Sequence, residues 1–146
     1  MEREGVIDKF MGDALLCWFG APVPQADHRA RALDAARAIL SHTAAWNAER
    51  VLRGQAAVAT GIGIATGQVV VGNIGSPRRL EYTAIGDAVN LASRLCSKAE
   101  AGDILAMGDH ALAESEVDFE SIGRLAVKGV KEPVPVIRCQ VPVIQG

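Results

Sequence analysis

Asn90 and Arg94 stand four positions apart in GDAVNLASRL, where Ala88, Leu91, Ala92 and Leu95 trace an apolar stripe, so the pair shares a different face of one predicted helix. Asparagine offers both a donor and an acceptor, and arginine a fixed fork of donors with permanent charge. Together they suit a polar ligand that both touch; an ordinary solvated helix face is the competing reading. Asp13 follows Gly12 between two short apolar runs, with Lys9 four positions earlier. That places an acid at a turn tip and a base on the incoming strand, with a surface turn acid and an edge lysine as the competing reading. Lys128 precedes Gly129 in VKG and, alone, reads as a turn charge.

Other familiar chemistry is missing. Gly61, Gly63 and Gly67 form G-x-G-x-x-x-G, which departs from the dinucleotide fingerprint by one residue and lies in a strand pattern; no G-x-x-x-x-G-K-[ST] occurs. A nucleotide site here is therefore of neither common type. His28, His42 and His110 match no short-range metal-ligand motif. Cys17, Cys96 and Cys139 are odd in number and scattered, which argues against a disulfide scaffold and for a reducing cytoplasm.

The 146 residues carry 17 acidic and 15 basic side chains for a net charge of -2, so a nucleic-acid polymer is not an expected partner and any polyanion must be held by a local cluster. A hydrophobic fraction of 49% predicts one packed domain rather than disorder. No signal peptide is expected from MEREGVIDKF. The uncharged stretch from Gly54 to Pro77 is long enough to span a bilayer, but its repeated Gly with Gln, Thr and Asn makes no membrane segment.

The positioning elements follow from periodicity and punctuation. Val6 to Met11 and Ala14 to Phe19 predict two strands about a Gly12-Asp13 turn. Asp27 is placed to cap a helix through HRARALDAARAILSHTAAWNAER, with Ala30, Leu33, Ala36 or Arg37, Leu40 and Ala44 along its buried face and Trp46 anchoring its C-terminal end. AAVATGIGIAT alternates with period two, Val58, Thr60, Ile62 and Ile64 against Ala57, Ala59, Gly61, Gly63 and Ala65. That small face either packs on a helix or admits a ligand or partner backbone. Gln68 to Val71 reads as a strand, Gly72 to Arg79 as a loop, and a helix opens near Asp87 and breaks at Gly102. Asp103 to Met107 predicts a strand and Asp109 to Ala113 a short helix. Val117 to Ser121, Arg124 to Val127 and Val134 to Val141 are β-rich, with Pro133 and Pro135 demoting the last to an edge. The sum is an α+β single domain.

The hairpin IDKFMGDALLCWFG, the segment GIGIATGQVVVGNIGSPRRLEYTAIG, the helix start GDAVNLASRL and the late VKG, in this order, resemble the catalytic domain of class III adenylate and guanylate cyclases. The resemblance covers most of Gly5 to Val141. It implies a ferredoxin-like core with a mixed, largely antiparallel sheet flanked by helices, and cyclisation of ATP, with GTP as the other candidate, assisted by two Mg²⁺ or Mn²⁺ ions. By resemblance Asp13 is a metal ligand, Lys9 and Thr83 contact the purine, Asn90 positions the ribose, Arg94 stabilises the transition state and Lys128 contacts the β- and γ-phosphates. A threonine hydroxyl both donates and accepts, and ATP is the preferred substrate on this reading.

The resemblance further implies a head-to-tail pair of domains, either a homodimer or a pairing with a related cyclase domain, with Asp13 and Lys9 of one chain facing Asn90 and Arg94 of the other. The family's first strand, an F-x-D-[IV]-x-G-F-T-like segment with another metal aspartate, has no match here, so residues 1–146 are expected to be one N-terminally incomplete catalytic domain. The competing reading is a catalytically inactive cyclase-like module that binds nucleotide or dimerises in a regulatory role.

Overall fold

The computed structural model describes residues 5–11, 14–21, 24–76, 79–108, 119–126 and 131–140. In chain order they form β1 (Val6–Met11), β2 (Ala14–Trp18), α1 (His28–Leu52), β3 (Ile62–Ile64), β4 (Val70–Ser76), β5 (Arg79–Ile85), α2 (Asp87–Lys98), β6 (Asp103–Met107), β7 (Glu120–Leu125) and β8 (Val134–Gln140). A four-stranded sheet has the order β3-β6-β8-β7, with β3 parallel to β6 and the other neighbours antiparallel. β1–β2 and β4–β5 are separate antiparallel ladders. The expected α+β fold with a mixed sheet flanked by helices is what the chain forms.

Two-sided burial explains the apolar runs of the central strands. Ile104 and Ala106 of β6, with Ile137 and Cys139 of β8, pack against Leu33, Ala36 and Leu40 of α1. The alternate residues, Leu105, Val134 and Val136, pack against Leu91 and Leu95 of α2. The period of two in each strand thus assigns one helix to each face of the sheet. β3 follows the same rule: Ile62 and Ile64 join the α1 side, while Ala65 joins the α2 side.

Several sequence expectations change in detail. Asp27 occupies the N-cap position of α1 but makes no side-chain cap bond. Its carboxylate accepts instead from Arg31 Nε at 2.9 Å, which holds Asp27 below the usual carboxylate range. Ala30 is exposed, so the buried face begins at Leu33. Trp46 does not anchor the helix; it is half exposed, with the Arg50 guanidinium stacked over its ring. Asn47 does that work. Only 3% exposed, it donates from Nδ2 to the Val58 carbonyl at 2.9 Å and accepts the Val58 N–H at 2.8 Å. Other elements likewise meet backbone groups before β3, Arg50 at Ala56, Gly102 at Thr60 and Cys96 at Gly61, and the regular ladder begins at Ile62.

The loop expected from Gly72 to Arg79 is largely strand: β4 and β5 pair from Val70↔Ile85 to Ser76↔Arg79. Glycine weakens a strand by only about 1 kcal/mol, which continuous cross-strand pairing overcomes. Among the described residues the two β-rich pieces join in a single strand, β7, with a bulge at Gly123, whose φ of 86 suits glycine. β8 is an interior strand rather than an edge. Pro135 lies one step beyond the last β6 pair, Met107↔Val136, where its carbonyl accepts from Gly108 and its missing N–H breaks no ladder bond. The short helix expected at 109–113 and the turn at Lys128-Gly129 lie outside the described residues.

Replacing Asn47 with alanine should destabilise the protein by about 2 kcal/mol in denaturant unfolding, since two partly buried hydrogen bonds are lost. Trp46→Ala should cost under about 1 kcal/mol, the scale of an exposed cation–π contact.

Candidate functional site

Helix α2 begins directly after β5, through Gly86 with φ 153 and ψ 171. The Gly86 carbonyl accepts from Val89 and Asn90 N–H at 3.1 and 3.4 Å, and Asp87 in the first turn and Lys98 in the last both suit the helix dipole. Leu91 and Leu95 are buried; Asn90 and Arg94 are exposed one turn apart. At about 100° per residue they lie roughly opposite the Ala88, Ala92 and Leu95 side of the helix that faces the sheet. Among the described residues neither side chain has a hydrogen-bond or ion-pair partner, so their donors are available to a ligand.

Thr83 lies on β5 in register with Gly72, on the same continuous segment as Asn90 and separated from it only by the Gly86 turn. Lys9 lies on β1, which runs near β5. The β1–β2 pairing passes from Ile7↔Cys17 to Phe10↔Leu15, so Asp8 and Lys9 oppose the single residue Leu16. This is a bulge, a device that turns a strand and redirects its side chains. Nothing in the alternation of VIDKFM marks it. The backbone therefore brings the Lys9 strand beside the Thr83 strand, and the Thr83 strand beside the helix of Asn90 and Arg94. Asp13 and Lys128 lie outside the described residues.

Among the described residues no three His, Cys, Asp or Glu side chains are grouped to hold a metal ion. Asp13, the one acid of the sequence-predicted site, is an oxygen donor fit for a hard divalent cation, whose remaining oxygens would come from elsewhere, including substrate phosphates. Likewise, among the described residues no helix is long and apolar enough to cross a membrane.

Comparison with known proteins identifies the family and the fold. The sequence profile of the adenylate and guanylate cyclase catalytic domain matches residues 6–137. An uncharacterized protein of Mycobacterium tuberculosis, Rv1319c, is 41% identical over 136 residues, covering 90% of this chain and 24% of the relative. The chain thus spans about a quarter of the length of the curated relatives it matches. Among solved structures, the adenylyl cyclase CyaB from P. aeruginosa superposes with a TM-score of 0.85 at 34% identity, covering 98% of this chain and 74% of that one. The guanylyl cyclase Cya2 gives 0.80 at 36% identity, covering 94% and 70%.

Since Asn90 and Arg94 are exposed and have no hydrogen-bond or ion-pair partner among the described residues, Asn90→Ala and Arg94→Ala should each leave unfolding free energy within about 0.5 kcal/mol of the parent in denaturant titration. A larger loss would mean that the two side chains serve the fold.

Proposed function

Because this chain belongs to the adenylate and guanylate cyclase catalytic domain family, we propose that it converts ATP to 3',5'-cyclic AMP and pyrophosphate. The observation that supports this best is the display of Asn90 and Arg94, exposed and without partners among the described residues, on a helix that continues directly from the strand of Thr83. The 3'-oxygen forms a bond to the α-phosphorus, the bond from that phosphorus to the bridging oxygen breaks, and the hydroxyl proton is released. Asn90 aligns the ribose, so that the attacking oxygen spends its time near the phosphorus. Arg94 meets the charge that grows on the phosphoryl oxygens, where a planar fork of donors acts most strongly. Lys9 and Thr83 read the purine edge, and Lys128 holds the β- and γ-phosphates. Mg²⁺ or Mn²⁺, held by Asp13 and the triphosphate, supplies Lewis-acid charge when bound.

Two copies complete the site, with Lys9 and Asp13 of one chain facing Asn90 and Arg94 of the other. Support comes from Val70 and Ile85, directly opposed at the end of the β4–β5 ladder nearest α2 and 66% and 50% exposed. An apolar pair so placed suits coverage by a second chain, and closed twofold symmetry then gives two equivalent sites. In this reading residues 1–146 all belong to one catalytic domain.

The full-length natural chain, supplied with Mn²⁺ and ATP, should release cyclic AMP and pyrophosphate, with GTP turned over more slowly. Arg94→Ala should lower kcat by about 10²- to 10³-fold, the usual effect of removing one transition-state donor. Equimolar Asp13→Ala and Arg94→Ala chains should recover about a quarter of parental activity, because half of the random dimers then hold one intact site of two. Folded heterodimers without product would contradict the composite site. Nucleotide binding without any cyclic product in the parent would identify a regulatory module instead.

A further inference from the structure

The glycines of the G-x-G-x-x-x-G pattern have no part in the proposed chemistry. Nor does backbone conformation require them: the positive-φ glycines of the described residues are Gly20, Gly54, Gly86, Gly102 and Gly123, so Gly61, Gly63 and Gly67 adopt angles open to alanine. Space is what they supply. A Cβ on Gly63 would run into the backbone of α2 itself, at Ala92 O, Cys96 N and, at 2.9 Å, Leu95 C. A Cβ on Gly61 would meet Ala99 Cβ at 2.9 Å and the Ala99 and Glu100 carbonyls at 3.1 and 3.2 Å. A Cβ on Gly67 would meet only Ala88 Cβ, at 3.3 Å.

These contacts run along the sheet-facing side of α2 from its first turn to just past its end. Hydrogen bonds fix the C-terminal end on the same surface: Cys96 Sγ donates to the Gly61 carbonyl at 3.5 Å, and Gly102 N–H donates to the Thr60 carbonyl at 2.9 Å. Asn90 and Arg94 project from the opposite side of this short helix. A helix moves nearly as a rigid rod, so any outward displacement by added side-chain volume reaches both residues.

Resting on the cyclase reading, we propose that Gly63 and Gly67 are positioning residues for the reaction: bare backbone at these positions sets the height of α2 above the sheet, and hence where Asn90 and Arg94 meet the nucleotide. The obstacle at Gly63 is backbone and cannot be trimmed, whereas the obstacle at Gly67 is one methyl group and can. A displacement of 1 Å at a reacting group costs about 10²-fold in rate, so the few tenths of an ångström demanded at Gly67 should cost several-fold.

The test uses the full-length natural chain. Gly67→Ala should lower kcat about 3- to 10-fold with KM within about twofold, and Ala88→Gly in the same chain should restore kcat to that of Ala88→Gly alone. Gly63→Ala should lower kcat by more than about 10²-fold in whatever fraction folds, with no recovery from Ala88→Gly. Crystal structures of the parent and Gly67→Ala should show the Cα atoms of Asn90 and Arg94 displaced away from β6. An undisplaced α2, an unchanged kcat for Gly67→Ala, or a double variant no faster than Gly67→Ala would each overturn the assignment. A parent that makes no cyclic nucleotide from ATP or GTP would instead overturn the reading of function on which it rests.

Discussion

The placement of Asn90 and Arg94 depends on how closely α2 lies against β3. Gly63 lets the backbones of helix and strand meet with no side chain between them, beneath the turn that contains Arg94. Van der Waals repulsion rises steeply at such distances, so this contact is a hard stop, and the leucines at 91 and 95 draw the helix onto it by burial. A hard stop on one side and a hydrophobic pull on the same side leave the outer face free to hold groups that do no structural work. Asn90 and Arg94 occupy that face.

The second constraint is topological. β5 and α2 are joined through Gly86, where a Cβ would meet the Gln68 carbonyl at 2.9 Å and Val69 Cα at 3.2 Å. The strand that would read the base and the helix that would hold the ribose and phosphate are thereby coupled through a few residues. Lys9, proposed to read the purine, stands in another ladder, β1–β2, at the bulge where Asp8 and Lys9 oppose Leu16. Assembly of the proposed site from several elements is physically compatible with its completion by a second chain. It also clarifies the near-neutral charge: a triphosphate would be held by a few cations gathered from separate elements, not by a basic surface.

Where side-chain period decides the outcome, the sequence was readable. DILAM and the run from Val134 are buried on both faces, and the small face of GIGIA packs on a helix, the first of the two readings left open for it. The resemblance to cyclases gave the family that the profile and the solved structures support. Where a single hydrogen bond or a neighbour across the sheet decides, it was not. Trp46 has the bulk of an anchor, yet Asn47 takes that role because its amide matches both backbone groups of Val58. Pro135 marks an edge strand in isolation and stands in an interior strand because β6 ends just before it needs a donor. Asn90 and Arg94 were legible as a pair since helical spacing alone makes them neighbours; the bulge under Lys9 was not, because pairing register is a property of two strands.

Cyclisation is an intramolecular attack by a ribose hydroxyl that consumes no water, so oxygen labelling separates it from hydrolysis. Turnover of ATP in H₂¹⁸O by the full-length natural chain should give cyclic AMP and pyrophosphate in equal amounts, neither containing solvent oxygen. Solvent ¹⁸O in a linear nucleotide or phosphate product, with no cyclic nucleotide formed, would show hydrolysis and rule out the proposed cyclisation.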